Sequence, residues 1–176
     1  GIYLGREILW EADGLSIEGE NKFIGTMVMD WELGESSGLS SPGCNEDKRE
    51  AGGDEELRPR LTTAFRRSAA MANYMAQDRP DISFASKEVS RGMACPTRLD
   101  TVKLKRLIRY LSNARRRAIK HTWQDPTDQL TVFSDSDWAG CVKTRRSTSG
   151  GVLHLVHHLV HHWSSTQATV ALSSAE

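Results

Sequence analysis

One stretch of the sequence, from residue 34 to residue 57, contains almost no large apolar side chain. It consists mainly of Gly, Ser, Pro and acidic residues. Such a stretch cannot bury enough apolar surface to offset the entropy that is lost when it becomes ordered. The sequence therefore predicts an acidic flexible linker over residues 34–60, with packed structure on either side of it.

Charge is distributed unevenly along the 176 residues. Residues 1–57 hold 4 basic and 14 acidic side chains, residues 58–120 hold 16 and 4, and residues 121–176 hold 3 and 5. The net charges of the three segments are therefore −10, +12 and −2. The strong positive charge of the middle segment favours a polyanionic partner, or docking onto the acidic segment of the same chain.

The sequence contains no apolar run of the length that a membrane span requires, and its start does not resemble a signal peptide. Cys44, Cys95 and Cys141 are widely spaced, which favours free thiols in a reducing compartment. We expect an intracellular protein, in the cytoplasm or the nucleus, with no membrane partner. Because the first residue is not Met, we also expect an excised fragment.

The regions before and after the linker are predicted to differ in structure. Residues 2–18 alternate loosely between apolar and polar side chains around the turn at residues 12–14, which predicts a β-hairpin. Residues 21–33 are predicted to form a short helix. Beyond the linker, Thr62 or Thr63 is expected to cap a longer helix that ends at Pro80.

Two further helices are predicted in the middle segment. Asp81 is expected to cap the first of them, and Gly92 to end it. Thr97 and Asp100 have the spacing of a capping box at the start of the second. That helix is expected to fray near Ala114, and its apolar residues recur at helical spacing, at Leu104, Leu107, Ile108 and Leu111.

Basic side chains occupy the opposite side of this last helix. We call them the basic face: Lys105, Arg106, Arg109, Arg116 and Arg117. Such a face suits contacts with phosphates that do not depend on base sequence. A solvated helix face, or a partner for the chain's own acidic segment, explains the same pattern equally well.

The last third of the chain is predicted to form mainly β-strands. Residues 130–133, 151–156 and 159–163 are predicted strands, the last two joined by a tight turn, and residues 171–176 resemble the start of a helix. The predicted order is thus three strands followed by a helix.

The motif Ser134-Asp135-Ser136-Asp137 follows the first of these strands. A carboxylate in a loop at a strand end can point into solvent and hold a cation, and Glu176 on the adjacent predicted helix is the second candidate. Carboxylates from two elements at one end of a sheet supply the hard oxygen ligands that Mg²⁺ uses in phosphodiester cleavage. Asp-x-Asp is also common in ordinary loops, so the motif alone leaves a structural role open.

Five histidines lie close together in the predicted hairpin near the end of the chain, at His154, His157, His158, His161 and His162. A zinc-binding hairpin is one interpretation. However, a hairpin distributes these residues over both of its faces, and no Cys or carboxylate nearby completes a set of four ligands. Polar positions on an exposed hairpin are the alternative.

Taken in order, the motifs of this chain resemble one family, the Pol polyprotein of copia-type LTR retrotransposons. In that family the corresponding run joins the end of the reverse transcriptase to the start of the ribonuclease H domain. The resemblance covers residues 61–176 and extends to Tyr3-Leu4-Gly5, which is similar to the family's Phe-Leu-Gly hairpin. The motifs that carry it are Arg67-Ser68, Arg79-Pro80-Asp81-Ile82-Ser83-Phe84-Ala85, Pro96-Thr97, Leu104-Lys105-Arg106-Leu107-Ile108-Arg109-Tyr110-Leu111, Ser134-Asp135-Ser136-Asp137-Trp138-Ala139-Gly140, Arg146-Ser147-Thr148-Ser149-Gly150, Trp163-Ser164-Ser165-Thr166-Gln167 and Val170-Ala171-Leu172-Ser173-Ser174-Ala175-Glu176.

The resemblance implies roles for particular residues. Asp135 matches the first metal-binding aspartate of ribonuclease H, and Glu176 matches the helix glutamate that shares that metal, Mg²⁺. Asp137 fits the family pattern but is expected to be structural. Leu4 and Gly5 match the hairpin that grips the primer terminus, and the basic face matches the region that lies along a template–primer duplex.

The resemblance also implies an α+β fold, in which a helical connection segment precedes a truncated ribonuclease H-like α/β fold. The truncated fold would contain a three-stranded antiparallel meander and the start of a helix. Four regions are expected: a primer-grip-like hairpin and short helix at the end of the reverse transcriptase (1–33), the linker (34–60), the helical thumb/connection (61–120) and the N-terminal half of the ribonuclease H-like domain (121–176).

The parent enzyme would copy RNA into DNA and cleave the RNA strand of RNA–DNA hybrids. Its implied partners are a hybrid or template–primer duplex and the remainder of the polyprotein. The polymerase's Tyr-x-Asp-Asp pair is absent, since it would precede residue 1, and the carboxylates that should follow Glu176 are missing. We therefore expect neither activity from this stretch alone. A non-catalytic nucleic-acid-binding module derived from such an element is the alternative.

Overall fold

A computed structural model describes residues 1–43, 55–141 and 143–174 of the chain. These residues combine helices with two antiparallel sheets, which confirms the predicted α+β class. The elements, in chain order, are β1 (Ile2–Tyr3), β2 (Arg6–Glu11), β3 (Gly14–Glu18), α1 (Lys22–Asp30), α2 (Pro59–Met75), a 3-10 turn (Pro80–Ile82), α3 (Ser83–Arg91), α4 (Arg98–Asn113), β4 (Ala118–Thr122), β5 (Leu130–Ser136), β6 (Thr148–Leu155) and β7 (His158–Thr166).

The chain divides into two compact units. The sheet unit contains Gly1–Glu18 and Ala118–Glu176, and the helical unit contains Gly19–Arg117. The hairpin and the helix after it, which the sequence grouped in one region, therefore belong to different units. The strand hairpin joins the C-terminal part of the chain, and α1 joins the other helices.

The helical unit packs around the apolar faces of α1, α2, α3 and α4. The predicted apolar stripe of α4 is confirmed, since Leu104, Leu107, Ile108 and Leu111 are fully buried. Side chains at i, i+3, i+4 and i+7 lie on one face of a helix, so this spacing is enough to place them together. Small residues of α2 allow close approach of its neighbours, and the Nε1 of Trp31 donates a 2.9 Å hydrogen bond to the hydroxyl of Ser68 inside the core.

The predicted cap of the first long helix is wrong. α2 begins at Pro59, after the extended residue Arg58, because proline is tolerated at the first helical position where its missing N–H would have no partner. Thr62 and Thr63 therefore lie inside the helix, where their hydroxyls donate to the carbonyls of Arg58 and Pro59. The helix ends at Met75, before the proline that was expected to end it.

Asp81 does not cap the following helix, contrary to the prediction. It lies in a single 3-10 turn, and its carboxylate accepts hydrogen bonds from Arg79 and Tyr110 instead. α3 starts at Ser83 without a side-chain cap and ends at Gly92 as predicted.

The capping box of α4 is confirmed. The N–H of Asp100 donates to the hydroxyl of Thr97 at 3.4 Å, and the N–H of Thr97 donates to the carboxylate of Asp100 at 3.0 Å. Two N–H groups that have no partner in the helix are satisfied in this way. The helix ends at Asn113, with Ala114 as the C-cap, which agrees with the predicted fraying there.

Replacing the threonine of this box should destabilise the helical unit. Thr97→Ala removes the acceptor for the Asp100 N–H, which costs about 1 kcal/mol. Chemical denaturation followed by far-ultraviolet circular dichroism reports on this unit, since the described α-helices all lie in it. Thr97→Ser keeps the acceptor and is the matched control; an equal loss of stability in both variants would contradict the capping role.

The first sheet has the strand order β1-β2-β3-β4. The predicted hairpin over residues 2–18 is confirmed, but the fourth strand was not predicted. β4 pairs antiparallel with β3, placing Ile119 opposite Ile17 and His121 opposite Leu15. Thus residues about a hundred positions apart complete one sheet.

The second sheet has the order β5-β6-β7 with antiparallel pairing throughout, which confirms the predicted three-stranded meander. β6 and β7 are joined through Val156, which has a positive φ of 53°. All three strands are longer than predicted, and β5 extends through Ser136. The predicted helix start is wrong over residues 171–174, which form turns, and residues 175–176 lie outside the described residues.

Candidate metal and nucleic-acid sites

Asp135 lies within a strand, not in the loop that the sequence predicted. It is the penultimate residue of β5, exposed to solvent and paired with Gly150 of β6. The prediction ended the strand at the last apolar residue, Phe133, although polar residues continue the same ladder. A Cβ added at Gly150 would meet only the carbonyl oxygen of Trp163 within 4 Å, at an ordinary van der Waals distance of 3.6 Å, so the position opposite Asp135 is not crowded.

The second predicted metal ligand, Glu176, lies outside the described residues, so its convergence with Asp135 stays a prediction. Among the residues that the structure describes, no group of three or more His, Cys, Asp or Glu side chains could hold a metal ion. A carboxylate is the kind of hard oxygen donor that Mg²⁺ prefers, and the metal-binding role of Asp135 stays a prediction.

Asp137 organises the loop that follows β5. Its carboxylate accepts hydrogen bonds from the N–H of Thr148, at 2.7 Å, and of Gly140, at 3.4 Å. These bonds close the loop onto the start of β6. This is a structural role of the kind that was predicted for Asp137.

The histidines of the last hairpin divide between the two faces of the sheet, as predicted. The register of β6 and β7 places His154 and His162 on one face and His158 and His161 on the other. The Nε2 atom of His158 lies 2.6 Å from the carbonyl oxygen of Thr122, with its ring 5.0 Å from that of His121. Burial and the neighbouring His158 lower the pKa of His121.

Much of the basic face of α4 is in contact with the chain's own backbone. The Nε of Arg106 donates to the carbonyl of Gly43 at 2.5 Å, and the Nε of Arg109 donates to the carbonyl of Ser37 at 2.8 Å. Asn113, one turn further on, donates to the carbonyl of Leu39 at 3.3 Å. Residues 34–43 of the predicted linker therefore pack along α4 through their main chain, and residues 44–54 lie outside the described residues. The last part of the predicted linker, residues 55–60, is described and leads into α2.

The other members of the basic face also have neighbours. The Nζ of Lys105 lies 5.7 Å from the centroid of the Trp31 ring, and the Nε of Arg117 lies 3.8 Å from the carboxylate of Asp81. Arg116 also has an interaction partner. Of the readings that the sequence left open, docking onto the chain's own N-terminal segment is the one for which direct contacts are visible.

Leu4 and Gly5 form the tip of the β1–β2 hairpin. Both have positive φ values, 49° and 78°, which is the backbone of a tight two-residue turn that twists with its strands. Leu4 is exposed, at 68% of its full accessible surface. The structure thus presents this dipeptide at a hairpin tip, where a ligand can reach it.

The sequence interpretation assigned no role to the cations of the loop between β5 and β6. We define the β5–β6 loop as residues 137–141 and 143–147. Lys143, Arg145 and Arg146 are all exposed there, and no contact of their side chains is found within the described part of the chain. Three cations within four residues of an otherwise acidic segment are a signal that sequence reading alone could have found.

Comparison with curated proteins finds homologues of this chain among the retrovirus-related Pol polyproteins of Arabidopsis transposons. Over 114 residues the chain is 36% identical to the Retrovirus-related Pol polyprotein from transposon RE1 of Arabidopsis thaliana. The match covers 65% of this chain and 8% of that protein. The predicted resemblance is therefore confirmed.

Two shorter proteins are also similar. An uncharacterised mitochondrial protein of Arabidopsis thaliana is 36% identical over 112 residues, covering 64% of this chain and 46% of that protein. Secreted RxLR effector protein 161 of Plasmopara viticola is 39% identical over 109 residues, covering 61% of this chain and 75% of the relative. The chain thus spans less than half of the mitochondrial relative and a small part of the polyprotein.

No family model matches the chain, and no solved structure is significantly similar to it. Among the described residues, no helix is both long and apolar enough to cross a membrane. Neither Cys95 nor Cys141 is in a disulfide bond.

Proposed function

We propose that this chain is the segment of a copia-type Pol polyprotein that joins the end of the reverse transcriptase to the start of a ribonuclease H-like domain. The whole polyprotein would act inside the cell, copying RNA into DNA and cleaving the RNA strand of the resulting hybrid. The observation that carries the proposal is the position of Asp135, exposed near the end of the first strand of an antiparallel meander. The relationship to transposon Pol polyproteins supports the same assignment.

Asp135 would be the first metal ligand of the nuclease site, and Glu176 the second. Gly150, opposite Asp135, has no side chain that would crowd a cation or a phosphate at this carboxylate. A bound Mg²⁺ would activate water and stabilise the leaving oxygen of a phosphodiester. The contribution of this chain is to hold the carboxylate of Asp135 on a paired strand, where strand hydrogen bonds fix its backbone.

An RNA–DNA hybrid fits such a site because it is recognised by backbone shape and 2′-hydroxyl groups and not by base sequence. The exposed tip at Leu4 and Gly5 would contact the primer terminus in the polymerase part of the same protein. A stand-alone binding module that uses the basic face is supported less well, since Arg106 and Arg109 are held by the chain's own backbone.

The proposal predicts that cleavage depends on a divalent cation. A polyprotein segment that contains this chain and extends beyond Glu176 should cleave the RNA strand of a labelled hybrid in Mg²⁺, and chelation with EDTA should abolish the cleavage. The DNA strand of the hybrid and a DNA duplex are the internal controls. Cleavage that persists in EDTA, or no cleavage of the RNA strand in Mg²⁺, would contradict the proposed function.

A further inference from the structure

We propose that the β5–β6 loop is a phosphate-contacting site that binds the backbone of a polynucleotide through Lys143, Arg145 and Arg146. The inference rests on the proposed function in its choice of ligand, an RNA–DNA hybrid. It adds to that function a surface that the basic face of α4 does not provide.

These three cations are accessible to a ligand. Their side chains are exposed and make no contact within the described residues. Arg106 and Arg109 on α4 differ from them, because their guanidinium groups already donate to backbone carbonyls. Among the described residues, a phosphate that binds at the loop displaces no hydrogen-bond or ion-pair partner of these side chains, whereas at α4 it would have to compete with the segment 34–43.

Hydrogen bonds hold the β5–β6 loop in place. The buried hydroxyl of Ser147 accepts a 3.0 Å hydrogen bond from the N–H of Ala139. The N–H of Arg145 donates to the carbonyl of Cys141 at 2.8 Å, and the N–H of Cys141 donates to the carbonyl of Arg146 at 3.2 Å. A second element also holds it, since the N–H of Gln167, just after β7, donates to the carbonyl of Ser147 at 2.8 Å. Binding of a ligand therefore costs less conformational entropy than it would if the loop were flexible.

The β5–β6 loop also contains one acidic side chain. Asp137 is the acidic residue of the loop itself, and its carboxylate is occupied by the backbone N–H groups of Gly140 and Thr148. No ion pair joins Asp137 to Arg145 or Arg146 among the described residues. The cations remain free for the negative charges of a nucleic acid backbone, which bind Arg and Lys regardless of base sequence.

The β5–β6 loop lies at the end of the sheet where Asp135 is found. The loop follows directly after Asp135 and Ser136, so it leaves the sheet at the same end as the proposed metal ligand. A strand whose phosphates lie on this loop would pass the carboxylate of Asp135. The loop thus acts in positioning the substrate and has no part in the chemical step.

The test is a binding measurement on the complete 176-residue chain with a fluorescent RNA–DNA hybrid, by anisotropy over a range of salt concentrations. EDTA is present throughout, so that metal binding and cleavage play no part. The variant Arg145→Gln/Arg146→Gln should bind about tenfold more weakly at physiological salt, and the slope of log K against log salt should fall by about 2, since each lost phosphate contact lowers it by close to one. Lys143→Gln alone should lower the slope by about 1.

The matched control is Arg58→Gln/Arg60→Gln, which removes the same charge from exposed positions at the start of α2. We expect it to change the affinity less than twofold, and thermal unfolding of both double variants to match that of the parent chain. The proposal is overturned if the loop variant binds as tightly as the parent, if both double variants lose affinity equally, or if the parent chain does not bind the hybrid. It is also overturned if vesicles containing phosphatidylserine are bound more tightly than the hybrid.

These outcomes are separate from the fate of the proposed nuclease. Loss of binding in the loop variant would support the loop even if the extended polyprotein showed no cleavage. Cleavage that depends on Asp135, with no effect of the loop substitutions on binding, would overturn the loop site alone.

Discussion

Arg79→Ala is expected to destabilise the helical unit by about 2–3 kcal/mol, because it removes two charge-assisted hydrogen bonds from a partly buried carboxylate and leaves it only the more distant cation of Arg117. Arg79 is only 3% exposed, and its Nε and Nη2 donate to the two carboxylate oxygens of Asp81 at 2.9 and 2.7 Å. The hydroxyl of Tyr110 donates to the same carboxylate at 2.7 Å. These bonds join the turn before α3 to the last part of α4.

Denaturation followed by far-ultraviolet circular dichroism measures this loss. Arg79→Lys keeps the charge but not the paired hydrogen bonds, so an intermediate loss is expected. Arg58→Ala, at an exposed position, is the control and should change stability by less than about 0.5 kcal/mol. A loss below about 1 kcal/mol for Arg79→Ala would show that the pair does not stabilise the unit.

The same cluster predicts a dependence on pH. Burial tends to raise the pKa of Asp81, but the hydrogen bonds from Arg79 and Tyr110 outweigh it and lower the pKa below the ordinary value of 3.8. The folded state therefore binds this proton less tightly than the unfolded state does. The stabilisation that the ionised Asp81 carboxylate provides should be complete above about pH 4 and be lost as the pH falls through its folded-state pKa. The difference in the free energy of unfolding between Arg79→Ala and the parent should therefore shrink in acid.

Local patterns in the sequence predicted α4 well. The spacing of Leu104, Leu107 and Ile108 identified its buried side, and Thr97 with Asp100 identified its start. Each of these features depends on residues within one or two helical turns, so the sequence contains all the information that is needed.

Contacts between distant residues were harder to predict. β4 has a short and weakly alternating sequence, and its partner β3 lies about a hundred residues earlier, so nothing local marks it as a strand. Likewise, periodicity placed Arg106 and Arg109 on one face of α4 but could not show that Ser37 and Gly43 cover them. For Asp135 the motif was found, but the end of the apolar run misplaced it in a loop.

The central claim is that Asp135 is a metal ligand of a nuclease site, and its replacement tests this most directly. The measurement is the rate of Mg²⁺-dependent cleavage of the RNA strand by a polyprotein segment that contains this chain and extends beyond Glu176. Asp135→Asn removes one charged ligand, and a loss of several kcal/mol of stabilisation corresponds to a rate about a thousandfold lower. Asp128→Asn, an exposed position in the stretch before β5, makes the same chemical change away from the proposed site and serves as the control.

We predict that Asp135→Asn abolishes cleavage while Asp128→Asn cleaves at the parent rate, with hybrid binding in EDTA similar for all three proteins. Cleavage by Asp135→Asn at the parent rate would contradict the account, because the carboxylate at the end of β5 would then have no part in the reaction.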